Sequence, residues 1–161
     1  GVAGDSAGGN LAAAVCLGLR DAGGAQPIFQ LLIYPAVDFA CASQSHSDLG
    51  EGYLLTGRGI EFCVTAYLGT DRAAAGDWRA SPLKAASLAG LPPALVQTAK
   101  FDPLKDEGRG YAEALAGAGV AVTHTPYDGM IHGFARMGAL VDAAGTALDE
   151  GAAALKRAFN P

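Results

Sequence analysis

The sequence predicts an α/β fold, a mostly parallel sheet with helices on both faces. Three observations carry that prediction. Apolar runs of strand length stand at residues 28–34 and 94–101, continuous rather than alternating, as in strands covered on both faces. Helical stretches separate them, which makes βαβ units. Glycine and proline punctuate the joins. With 161 residues, 50% of them hydrophobic, there is material for one compact domain but not for two.

The elements follow in order. Residues 8–22 read as a helix with Leu11, Val15 and Leu19 on one stripe, Ala and Cys on its other faces, and Gly23-Gly24 as the stop. A helix apolar nearly all round is expected to be buried. The strand at 28–34 closes at Pro35. Residues 36–91 then run far longer than one crossover needs and hold a helix marked by Ile60, Val64, Tyr67 and Leu68. Such an excursion over the carboxyl edge of a sheet shapes a pocket or is mere decoration. Pro92-Pro93 launches the strand at 94–101. A helix over 106–118 has Tyr111, Leu115 and Ala118 on one face and ends at Gly119. The strand at 120–125 is more polar and runs into Pro126, an edge-strand pattern. A last helix, 139–159, presents Leu140, Ala144, Leu148, Leu155 and Phe159, with Lys156 and Arg157 where the helix dipole favours cations.

Composition excludes several classes. The net charge is −5 and the 11 Lys and Arg are scattered, so no nucleic-acid partner is expected. No apolar run reaches the roughly 18 residues of a membrane span. Cys16, Cys41 and Cys63 are odd in number, widely spaced and without a Cys-x-x-Cys pair. They read as free thiols in a reducing compartment, which makes a cytoplasmic location the expectation. The chain opens at Gly1, without Met, directly on its most informative motif, as the C-terminal part of a longer protein would.

That motif is Gly4-Asp5-Ser6-Ala7-Gly8, a Gly-x-Ser-x-Gly pattern. It marks a strand-to-helix turn that lifts a serine hydroxyl to a helix N-terminus, with both glycines expected for steric reasons. Roughly one chain in eight of this composition would carry the pattern by chance, but here a helix follows at once. A serine hydroxyl needs a base, and the base needs a carboxylate. Three histidines compete. His46 sits in a Ser-rich polar stretch and reads as a solvated loop residue; His124 lies inside a strand and reads as structural or surface. His132, past the carboxyl end of the last strand, stands where such sheets do their chemistry. For the acid, Asp102 at the tip of the 94–101 strand ranks first. Asp106, explained by helix capping, comes second, and Asp128, on the same connection as His132, third.

Three blocks then resemble the hormone-sensitive-lipase-like carboxylesterases (bacterial family IV) of the α/β-hydrolase fold: Gly4-Asp5-Ser6-Ala7-Gly8-Gly9-Asn10, Phe101-Asp102-Pro103-Leu104-Lys105-Asp106-Glu107-Gly108 and Ile131-His132-Gly133-Phe134. Leu32-Ile33-Tyr34-Pro35 and Gly90-Leu91-Pro92-Pro93-Ala94 extend the resemblance nearly end to end. Lys105 departs from the family's usual Arg. The resemblance implies that residues 1–161 are the C-terminal part of one hydrolase domain, with Ser6 as nucleophile, Asp102 as acid, His132 as base and the Ala7 amide as one oxyanion donor. It implies hydrolysis of short- to medium-chain acyl esters through an acyl-enzyme, without metal or organic cofactor. It also implies a homodimer formed through the strand at 120–125. The family's further oxyanion donors lie on a His-Gly-Gly-Gly loop that these residues do not contain, so the 161 residues alone are expected to be inactive and poorly folded. An amidase or peptidase on the same three residues, and a non-catalytic binding module on the same fold, are the alternatives.

Overall fold

A computed structural model describes residues 1–70 and 72–160. Four strands, β1 (Val2–Asp5), β2 (Gln30–Ile33), β3 (Ala94–Phe101) and β4 (Val122–Ile131), form one sheet in the order β1-β2-β3-β4, all parallel. Because successive side chains of a strand point to opposite faces, continuous apolar strands feed two cores at once. From β2, Leu32 joins Val96, Ala12, Cys16, Leu17, Tyr111 and Leu115 on one face. Its neighbours Leu31 and Ile33 join Leu95, Ala147 and Ala154 on the other. The first face is covered by α1 (Ala7–Asp21) and α4 (Lys105–Gly117), the second by α5 (Asp142–Phe159).

Two helices dock by a face other than their bulkiest stripe. On α1 the buried residues are Gly9, Asn10, Ala12, Ala13, Cys16 and Leu17, whereas Leu11 and Val15 are 55% and 47% exposed. Small residues let the helix axis approach the sheet: a Cβ on Gly9 would stand 2.8 Å from Pro35 Cβ. On α5 the buried face is Ala144, Ala147, Gly151 and Ala154, and a Cβ at Gly151 would stand 2.9 Å from Leu31. Leu148 and Phe159, expected inside, are exposed, and Leu140 precedes the helix altogether. The close-packing positions, not the large side chains, determine which face is buried.

The last strand is longer than its sequence pattern suggests. β4 continues through Pro126, which lies opposite Thr98, and ends at Ile131. An edge strand tolerates the missing N–H of proline on its outward side. An irregularity opposite Ala99–Phe101 breaks the register, with Gly129 at φ 78°, before Ile131 pairs with Phe101. Such bulges re-aim the residues that follow them, and His132 comes next.

Residues 36–91 hold α2 (Gln44–Leu49), α3 (Gly57–Leu68) and short 3₁₀ turns at Arg72–Gly76 and Pro82–Lys84. The Thr56 side chain caps α3 by accepting from the Gly59 amide. Ile60 and Val64 are buried against Ala36 and Leu104 in a separate small core, and Tyr67 is exposed. Among the described residues, no helix is long and apolar enough to cross a membrane.

Candidate active site

The turn after β1 holds Ser6 at φ 53°, a backbone conformation costly for any residue with a side chain. It persists because neighbouring strands determine it from both sides of the peptide. The Ser6 amide donates to Ile33 O, and its carbonyl accepts from the amides of Asn10 and Ala36. The steric demand is one-sided. A Cβ on Gly4 would fall 2.1 Å from the Gly8 carbonyl oxygen, whereas a Cβ on Gly8 would meet only Asp5 Oδ1, at 3.9 Å. Gly8 is therefore not required for the reason expected; Gly4 and Gly9 are.

Ser6, His132 and Asp102 come together at the carboxyl ends of β1, β4 and β3. Ser6 Oγ lies 2.9 Å from His132 Nε2, and His132 Nδ1 lies 2.8 Å from Asp102 Oδ2. The Asp102 side chain is 0% exposed, and its other oxygen accepts from the Leu104 amide. A buried carboxylate bonded at both oxygens holds one geometry. The imidazole is wedged by Tyr34, ring centroids 4.8 Å apart, and Tyr34 in turn packs edge-on against Phe134. Burial, followed by the charge of Asp5, pushes the Tyr34 phenol up to about 12, so it stays neutral. Gly133, at φ 81°, turns the chain directly after His132.

The other candidates lie elsewhere. Asp106 accepts from the Ser45 amide and pairs with Arg109. Asp128 is exposed and faces Lys100. His124 bonds the Thr98 hydroxyl within the sheet, its pKa lowered by burial. His46 corrects the sequence reading: it sits on α2, only 9% exposed, with Nε2 2.8 Å from Glu107 Oε2. The Ser-rich stretch around it is helical because Asp106 and the Pro103 carbonyl bind Ser45 at its start.

Sequence reasoning passed over two supporting residues. Asn10 donates 2.7 Å hydrogen bonds to the carbonyls of Ala36 and Ala80, tying α1 to the start of the long excursion and to a point deep within it. Its signal was legible, an amide in an otherwise apolar stretch of helix. Glu107 accepts from the amides of Val37 and Asp38 with one oxygen and faces His46 with the other. Burial raises its pKa despite these partners.

Two cavities meet at Ser6. One, about 300 Å³, is walled by Ala7, Leu11, Phe39, Ile60, Val64 and Leu104. The other, about 330 Å³, lies on the His132 side. Ala7 opens α1, and the first amides of a helix have no partner within it. Its N–H therefore has no partner within the helix, and the residue borders the cavity beside Ser6. Among the described residues, no cluster of three His, Cys, Asp or Glu side chains could hold a metal ion.

A family described as alpha/beta hydrolase fold matches residues 1–136. The carboxylic ester hydrolase LipN of Mycobacterium tuberculosis is 48% identical over 137 residues, covering 83% of this chain and 36% of that protein. The carboxylesterase NlhH of the same organism is 39% identical over 99% of this chain and 50% of its own length. The crystal structure of EstE1, a thermophilic and thermostable carboxylesterase from a metagenomic library, superposes with a TM-score of 0.93 at 40% identity, covering 99% of this chain and 54% of that one. The chain thus spans about half the length, or less, of these relatives.

Proposed function

The chain belongs to the α/β-hydrolase fold family, with the sequence blocks of its hormone-sensitive-lipase-like carboxylesterases, and on that footing we propose that it carries the catalytic residues of a serine carboxylesterase. The observation that carries the reading is the unbroken chain of hydrogen bonds from Ser6 Oγ through His132 to Asp102.

In this reading His132 Nε2 takes the Ser6 proton as Oγ attacks the ester carbonyl carbon. The carbonyl oxygen gains negative charge and accepts from the Ala7 N–H. Collapse of the tetrahedral intermediate breaks the ester C–O bond, and the imidazolium returns its proton to the departing alcohol. Water, deprotonated by the same nitrogen, then attacks the acyl-enzyme, releasing the carboxylic acid and restoring Ser6. Asp102 holds the Nδ1–H tautomer throughout without taking the proton.

The 300 Å³ apolar cavity is at the small end of ligand sites and supports a short- to medium-chain acyl group. The three free thiols support a cytoplasmic location, and nothing in the scattered cations favours nucleic acid. The edge position of β4 supports a homodimer paired along that strand, readable as a doubled mass in light scattering. The test of the activity is hydrolysis of a short p-nitrophenyl ester by the intact protein. Loss of turnover in Ser6→Ala and His132→Ala, with folding retained, supports the assignment; unchanged turnover in either overturns it.

A further inference from the structure

The two cavities at Ser6 differ in how their charged side chains are partnered. The apolar one reaches two carboxylates, and each already has a partner: Asp38 pairs with Lys84, and Glu107 faces His46. The second is bordered by Ser6, His132, Tyr34, Asp5, Met137 and Arg136. The side chain of Arg136, in the 3₁₀ turn after His132, has no ion pair or hydrogen bond among the described residues; only the Arg136 amide is bonded, to Gly133 O. Its charge still acts in the cavity, pulling the Tyr34 phenol downward against burial. Asp5, the other charge there, acts on the same phenol in the opposite sense.

The chemistry says which half of an ester enters which cavity. The leaving oxygen must be protonated by His132 Nε2, so the alcohol lies on the His132 side. The oxyanion must reach the Ala7 amide, and Ala7 borders the apolar cavity, which therefore takes the acyl chain. We propose, resting on the esterase reading above, that Arg136 is a specificity-determining residue and that the preferred substrates are esters whose alcohol portion carries a carboxylate, O-acylated hydroxy acids. A guanidinium with free donors matches a carboxylate in a two-point fork that no other border of this cavity supplies.

The test uses a matched pair on the intact protein: the acetyl ester of 3-hydroxypropanoate and that of 3-hydroxypropanamide, alike in shape and different in charge. The kcat/KM ratio, acid over amide, is expected to exceed one and to shrink as salt is raised. Arg136→Gln should lower that ratio roughly three- to fivefold, as for a solvent-reachable charge pair, and Arg136→Lys should restore part of it. Free 3-hydroxypropanoate should compete with a neutral ester more weakly in Arg136→Gln. An acid/amide ratio identical in wild type and Arg136→Gln, with both esters turned over, overturns the role of Arg136 alone. Turnover of neither ester, with Ser6 refusing an organophosphate, overturns the esterase reading and this inference together.

Discussion

His46 Nε2 stands 2.8 Å from Glu107 Oε2, with the two side chains 9% and 3% exposed. The other Glu107 oxygen anchors the amides of Val37 and Asp38, where the chain leaves β2 to wall the apolar cavity. Removing the imidazole leaves a buried carboxylate without its partner. His46→Ala is expected to lower unfolding free energy by about 3 kcal/mol. Adding Glu107→Gln should recover part of that loss, because the orphaned charge is gone. Urea denaturation of the single and double variants checks both statements.

The turn at Ser6 makes an asymmetric prediction. Gly4→Ala puts a methyl group 2.1 Å from a backbone oxygen and should destabilise the fold by more than about 3 kcal/mol or abolish it. Gly8→Ala has room and sits in the first turn of α1. It is expected to change stability by no more than about 1 kcal/mol, the difference in helix propensity. Thermal melts of the two variants distinguish a one-sided from a two-sided steric requirement.

Glu150 governs part of the acid limb of stability. Burial alone would raise its pKa, but hydrogen bonds from Thr125, Gln97 and Tyr127 outweigh that and lower it below the usual 4.5. A carboxylate depressed in the folded state contributes stability that is present above the unfolded value and is lost as pH falls through the folded one. The Tm of the wild type is expected to drop below about pH 4.5 more steeply than that of Glu150→Gln. Parallel acid profiles would remove Glu150 from the account.

Much of this architecture was legible in the chain. The strand at 94–101 appears at its predicted bounds because all but Gln97 and Lys100 of its residues are apolar or β-branched and two prolines set it off. The convergence of Ser6, Asp102 and His132 was legible because each follows a strand tip, and the carboxyl ends of parallel strands lie side by side. Which helix face is buried was not legible. Leu11 and Leu148 look like core by hydrophobicity, yet close approach of helix to sheet selects Ala and Gly positions, a property of the gap between elements. The His46–Glu107 pair was hidden for a different reason. Its members lie 61 residues apart, and neither signals the other in sequence. Pro126 read correctly as the mark of an edge strand but wrongly as its end, because the continuation to Ile131 depends on pairing with β3, which the local pattern does not show.

The buried carboxylate behind His132 makes a kinetic prediction. Asp102→Asn preserves shape but favours the wrong imidazole tautomer, and kcat is expected to fall about 10⁴-fold with the melting temperature little changed. Asp106→Asn and Asp128→Asn, whose side chains pair with Arg109 and Lys100, should leave kcat within about twofold, since surface pairs contribute little. Steady-state assays of the three variants rank the carboxylates directly.

The most direct measurement is mass spectrometry of the intact protein after exposure to an organophosphate ester. A single adduct on the peptide bearing Ser6, absent in His132→Ala at the same exposure, is the expected result. Modification elsewhere, or an untouched Ser6 in protein shown to be folded, would contradict the claim that this hydroxyl is activated by its imidazole.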